Sequence, residues 1–198
     1  MPETCIISWS DGTWVHPPAA VQSNSEGNGA LEVTVAEGSD AWRHTAYGFV
    51  HDSAPALLAP LAVGEAMEVT FHAAWEGEFD QAGLFVRIDA EHWAKTGVEY
   101  ADGHLGLGAV VTAGKSDWSV GQVDQWREHE ITVRVSRWAD SLVVRARAAD
   151  EPWRLVRVAP FDGDAAVFAG PFAAAPTRAG LTVHFTRWER SAADTALH

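Results

Sequence analysis

Cysteine is nearly missing from this chain of 198 residues. Cys5 stands alone, which excludes an intrachain disulfide and any zinc site built on thiolates. Without a disulfide framework there is no sign of a secreted protein. Basic residues are also scarce, 14 against 27 acidic ones, for a formal net charge of −13. Nucleic acid and anionic membranes both select a basic footprint, so neither is an expected partner. No apolar run approaches the ~18 residues of a membrane-spanning helix. The opening MPETCIISWSDGTW has no basic segment followed by an apolar one, so no signal peptide is expected. These absences predict a soluble, acidic, cytoplasmic protein.

Chemical signatures are missing too. The nine histidines are scattered without metal-ligand spacing, and no cofactor or metal is expected. His72 and His184 fall on wet strand faces where they can meet across sheets. No nucleophile elbow, phosphate-binding loop or dinucleotide fingerprint occurs. Asp162-Gly163-Asp164 reads as a turn.

What the chain does have is alternation of period two, broken by Gly, Asp and Pro at intervals of roughly ten residues. That pattern predicts an all-β, two-sheet antiparallel sandwich of jelly-roll type with roughly a dozen strands. One domain over residues 1–190 is expected, with a frayed tail over 191–198. Ser23 to Gly29 reads as a polar loop, Ala54 to Pro60 as a Pro-bounded connector and Ser116 to Gln125 as a polar, Trp-bearing loop. Most of the ten tryptophans are expected to fill the core.

The stretch Asp80 to Trp118 carries the most information. Asp89-Ala90-Glu91 and Asp102-Gly103 are hairpin turns, the second a strong two-residue signal. The first turn sets Arg87 opposite Trp93, Gly83 opposite Gly97 and Gln81 opposite Glu99. The second sets Gly97 opposite Gly108 and Lys95 opposite Val110. Both registers put Gln81, Gly83, Phe85, Trp93, Lys95, Gly97, Glu99, Gly106 and Gly108 on one face. Ala82, Leu84, Val86, Val98, Leu105 and Leu107 fall on the other. A one-residue slip would scramble this division, so the two turns support each other. Gly in mid-strand marks close approach of a ligand or another backbone. The expected site is therefore a glycine floor rimmed by Gln81, Lys95 and Glu99; the alternative is that the chain's own loop, Trp42–Phe49 or Ser116–Trp118, covers the floor, and both hold if that loop forms one wall of the groove. Trp93 would wall it, with Trp42, Asp117 and Trp118 reaching in from loops. A Lys95–Glu99 pair would keep Glu99 ionised and favour binding over general-acid catalysis.

These residues resemble a known family. DQAGL at 80–84, Trp93-x-Lys95-x-Gly97-x-Glu99 and SDWS at 116–119 look like the signature of the regulation-of-enolase protein family, which has no known function. Asp40-x-Trp42-Arg43, Tyr47-Gly48-Phe49, Arg157-x-Ala159-Pro160-Phe161 and Pro176-x-Arg178-x-Gly180 are similar as well. The resemblance implies a concanavalin A-like lectin/glucanase sandwich with a concave face, in a superfamily many of whose members handle carbohydrate. Three functional expectations follow. The first is a carbohydrate-like small molecule or oligosaccharide on the concave face. The second is a glycoside hydrolase or lyase using Glu99 with Asp80 or Asp117. The third is a regulatory module that binds a protein partner. The oligomeric expectation is a monomer or homodimer.

Overall fold

Alternation becomes a strand wherever one side chain in two can reach a core. In the computed structural model, which describes residues 4–23 and 29–197, seventeen strands form among the described residues. In the first half they are β1 (Cys5–Ile6), β2 (Thr13–Val15), β3 (Ala20–Ser23), β4 (Leu31–Thr34), β5 (Ala41–Arg43), β6 (Val50–Asp52), β7 (Ala56–Pro60), β8 (Glu65–Ala73) and β9 (Asp80–Arg87). There follow β10 (His92–Ala101), β11 (His104–Ala113), β12 (Lys115–Gln122), β13 (Ile131–Arg137), β14 (Ser141–Ala148), β15 (Arg154–Pro160), β16 (Phe168–Ala174) and β17 (Thr182–Ala192). Within the expected polar loop, residues 24–28 lie outside the described ones.

Two antiparallel sheets face each other. One runs β12-β11-β10-β9-β16-β7-β2, the other β15-β14-β13-β8-β17-β4-β3 with β1 against β17. Their inner faces interleave Leu84, Val86, Val98 and Leu105 with Met67, Phe71, Val133 and Phe185, all buried. Each such side chain contributes about 1.5–3 kcal/mol by leaving water. Trp75, Trp126 and Trp188 are fully buried in this core, and Trp9 and Trp14 pack on it. The expected sandwich is the observed one.

The seven-stranded sheet has a second apolar cluster on its outer face. Phe85, Trp93, Val110 and Phe172 gather there with Ala56 and Leu58, under Ala41 and Ala54. The cover is the two-stranded β5–β6 ribbon. Arg43 ties one end, donating to Glu91 at 2.7 Å and to the Gly114 carbonyl at 3.2 Å. Arg87 ties the other, gripping both Asp52 oxygens at 2.8 and 3.0 Å.

Four expectations change. Ala54 to Pro60 is not a connector: Ala56–Pro60 is β7, whose Leu57 and Ala59 face the main core while Ala56 and Leu58 face the second cluster. Apolar on both faces, it shows no alternation. Ser116 to Gln125 is largely the edge strand β12, polar because one long side of it meets water. Over its described residues, 191–197, the tail is docked, not frayed: Asp194 bonds Arg134 and Arg145, and Trp138 donates to its carbonyl at 2.7 Å. His72 and His184 do not meet across the sandwich but stack side by side in one sheet, ring centroids 4.8 Å apart. The Asp162–Asp164 turn is stitched by buried Arg137, which donates to the carbonyls of Gly163 and Ala165 at 2.9 and 2.7 Å.

Candidate functional site

Both hairpins take the expected register, with Gly83 opposite Gly97, Gln81 opposite Glu99 and Gly97 opposite Gly108. The glycines serve strand-to-strand approach rather than a ligand. A Cβ on Gly83 would stand 2.0 Å from the Thr96 carbonyl oxygen, and one on Gly97 would stand 2.1 Å from that of Ala82. Gly97 also has φ of +155°, which side chains disfavour.

The ribbon covers only part of this face. Beside it a cleft of about 360 Å³ remains, with Gln81, Lys95 and Glu99 at its base. Its walls are Trp42, Tyr47 and Phe49 from the ribbon, Trp118 from β12 and Phe79 from the turn before β9. Trp118 is 46% exposed and meets Trp42 edge to face at 6.5 Å. Tyr47 and Phe49 stack at 5.3 Å. Flat apolar walls around a few convergent polar groups are the usual make-up of a small-molecule site.

The base is organised by Asp40, from the segment leading into the ribbon. Lys95 Nζ donates to Asp40 Oδ1 at 2.9 Å and to Gln81 Oε1 at 2.7 Å. The Lys95 side chain is only 6% exposed. Burial pushes the Asp40 carboxyl up, but the Lys95 ammonium and the Ala41 N–H more than reverse this and hold it below the ordinary carboxylate range. Lys95 is thus paired with Asp40, not with Glu99 as expected. Among the described residues no donor bonds the Glu99 carboxylate. Burial pushes it up to about 7; Lys95 draws it down, while Asp40 and Glu78 add to the rise.

That ionisation has a measurable consequence. A carboxyl with a folded value above its unfolded one contributes stability that is fully present below the unfolded value and lost as pH rises through the folded one. For Glu99 the window runs from about 4.5 to about 7. Glu99→Gln is therefore expected to be more stable than the parent by about 2–3 kcal/mol above pH 7 and equal to it at pH 4. Urea unfolding at both pH values checks this; the same difference at both would exclude buried ionisation as the cause.

Other predicted residues go elsewhere. Trp93 is 0% exposed, stacked on Phe85 at 5.4 Å beneath the ribbon, so it supports the cleft floor and touches no ligand. Asp80 and Asp117 both fall on the strand parity opposite to Glu99. Asp80 is fully buried and held by Arg178 at 2.6 Å; Asp117 pairs with Arg157 at 3.0 Å. Neither is brought to Glu99, so the expected catalytic pairs do not form. Trp42, Gln81, Lys95, Glu99 and Trp118 do converge. Tyr47 and Phe49, within the loop expected as a wall of the groove in the alternative, line the cleft, and Asp40, His51 and Phe79 line it without having been expected. For Asp40, Tyr47 and Phe49 the signal in the chain is the pair of short motifs at 40–43 and 47–49, which carry polar and aromatic residues without alternation; His51 and Phe79 lie outside both motifs. Among the described residues no three His, Cys, Asp or Glu side chains gather as a metal ion requires, and no helix is long and apolar enough to cross a membrane.

The comparisons agree with this architecture. The chain is 37% identical over 192 residues to Regulation of enolase protein 1 of Saccharomyces cerevisiae, covering 97% of this chain and 95% of that one. A crystal structure of a functionally unknown protein from Saccharomyces cerevisiae superposes with a TM-score of 0.86 at 36% identity, over 94% of this chain and 98% of that one. The metal-free form of lectin I-B4 from Griffonia simplicifolia shares the fold, with a TM-score of 0.57 at 16% identity over 92% and 93% of the two chains. The family described as "Protein of unknown function (DUF1349)" matches residues 14–193, and the chain belongs to that family.

Proposed function

We propose that this protein binds a carbohydrate in the cleft between the β5–β6 ribbon and β12. The observation that carries this reading is the pairing of exposed aromatic walls with a buried polar base. The rings of Trp118, Tyr47 and Phe49 offer large, flat apolar area for the apolar side of a sugar ring. Gln81, Lys95, Asp40 and Glu99 supply donors and acceptors for hydroxyls, and their mutual hydrogen bonds hold them in place before a ligand arrives. The volume suits one or two sugar rings, at the lower end of the ~300–1,000 Å³ range of small-molecule sites. The lectin-like fold supports the reading by analogy only.

Titration with a panel of oligosaccharides, followed by tryptophan fluorescence, tests it. At least one sugar is expected to shift the emission, and Trp118→Ala is expected to weaken its binding about tenfold, which is 1.4 kcal/mol. A silent panel would overturn the reading. It would then favour a regulator that binds a protein chain along the β12 edge. Exposed Trp118 and Val120 on that edge support this second reading, as does the name of the yeast relative.

A further inference from the structure

The charges at the base of the cleft do not cancel, and the imbalance has a direction. Two of the three N–H groups of the Lys95 ammonium donate to Asp40 and Gln81, and its side chain is buried. The Asp40–Lys95 pair is therefore neutral to an incoming ligand. Glu99 is left over. It lies on the same strand as Lys95 and lines the same cleft, but no donor among the described residues reaches its carboxylate. Glu78, the nearby acidic residue of the turn before β9, adds negative charge rather than relieving it.

The walls point the same way. Trp42, Tyr47, Phe49 and Trp118 wall the cleft whose base holds this one carboxylate. The face of an aromatic ring is negative, so a cation near it gains about 0.5–2 kcal/mol, more as water is excluded. An aromatic enclosure with a carboxylate lacking its cation is suited to an ammonium group. The chain as a whole carries −13, which raises the local concentration of cations and lowers that of anions.

Resting on the carbohydrate reading above, we propose that the cleft selects a sugar bearing a free amino group, with Glu99 as the counter-ion of its ammonium. The sugar ring lies against the aromatic walls. Its hydroxyls meet Gln81 and the Asp40–Lys95 pair, and its ammonium meets Glu99. Uronic acids are disfavoured, because their carboxylate would face Glu99 and Asp40.

The proposal has a proton-linked signature. Glu99, raised to about 7, carries a proton in a large fraction of molecules near neutral pH. The groups facing it are Lys95 on its own strand, uncharged Gln81 and Gly106 on the neighbouring strands, Asp40, Tyr47 and His51 from the ribbon segment, and Glu78 from the turn. A bound ammonium favours the ionised carboxylate, so binding an amino sugar drives the proton off Glu99, to solvent where the free amine is already protonated and to the amine itself where it is not.

The test compares three soluble oligomers of matched length at about pH 6, where Glu99 holds its proton and the sugar amine is largely charged, and at low salt: glucosamine, its N-acetylated counterpart and galacturonate. Tryptophan fluorescence gives affinities, and calorimetry in buffers of different ionisation heat counts protons. The expected result is about tenfold or greater preference for the glucosamine oligomer over the acetylated one. Proton release should accompany only the glucosamine oligomer, and galacturonate should bind weakest. Glu99→Gln should abolish both the preference and the proton release. Equal or tighter binding of the acetylated oligomer would overturn the ammonium proposal and leave the carbohydrate reading standing. No response to any sugar, here or in the wider panel, would overturn both.

Discussion

Lys95→Met is expected to destabilise the protein by about 3–5 kcal/mol at pH 7. The side chain sits inside a network and not at its margin: Nζ bonds Asp40 at 2.9 Å and Gln81 at 2.7 Å from an almost wholly buried position. Met preserves the apolar stem and removes only the charge. Asp40 would then keep the Ala41 N–H at 2.8 Å and a long contact to the Gln81 amide at 3.5 Å, but no cation. Breaking a buried pair from one side costs far more than deleting both partners, because the survivor is charged and desolvated. Lys95→Met with Asp40→Leu should accordingly cost less than the sum of the two single changes, by about 1–3 kcal/mol in a double-mutant cycle.

The pH dependence carries a sign. In the parent, Asp40 is held below its unfolded value, so its contribution is present above about pH 3.8 and is lost as pH falls through the folded value. Without Lys95, burial dominates and the carboxyl rises instead. The cost of Lys95→Met should therefore be smaller at pH 3 than at pH 7. Urea unfolding of the four proteins at both pH values measures all of this. A single-mutant loss below about 1 kcal/mol would mean that the pair is worth no more than an exposed one.

Arg178→Ala is the second large effect, about 3–4 kcal/mol. Asp80 is fully buried, and Arg178 supplies Nη2 at 2.6 Å and Nε at 3.1 Å from both carboxylate oxygens. The N–H groups of Glu76 and Gly77, at 3.2 and 2.9 Å, remain in the variant, which puts the cost toward the low end for a broken buried pair. The guanidinium also runs across Gly77, where a Cβ would meet Arg178 Cδ at 2.4 Å. It thus ties the 76–79 turn to the segment starting at Pro176. Both segments line the cleft, through Phe79, Pro176 and Thr177. Arg178→Ala should for that reason weaken ligand binding as well as stability, although Arg178 does not itself line the cleft. Thermal unfolding and the sugar titration read the two effects separately. A destabilised variant that binds as tightly as the parent would show that this wall does not depend on the ion pair.

The candidate site was half legible in the chain. Gln81, Lys95 and Glu99 belong to one three-stranded meander, and two turn signals are enough to bring them together. Trp93 shares their face and was expected to share their role, yet it lies under the ribbon. Parity states which way a side chain points; it does not state whether a distant segment covers it. Asp40 is the clearest omission. It is 55 positions from Lys95 in the chain, in a segment with no strand periodicity, and it takes the Lys95 ammonium that Glu99 was expected to pair with.

By itself the sequence determined the sandwich, the registers of β9, β10 and β11 and the face on which the polar residues lie. These follow from period-two alternation and tight turns, which act between residues close along the chain. Only the tertiary structure decided that the ribbon folds over half of that face, that β7 is a buried strand and β12 an edge, and that Lys95 chooses Asp40 and leaves Glu99 unpaired. Those outcomes depend on which remote segments come together and on how much water they exclude. The ionisation of a carboxylate is set by that local desolvation and by the nearest charges in space, neither of which is written in the order of the residues.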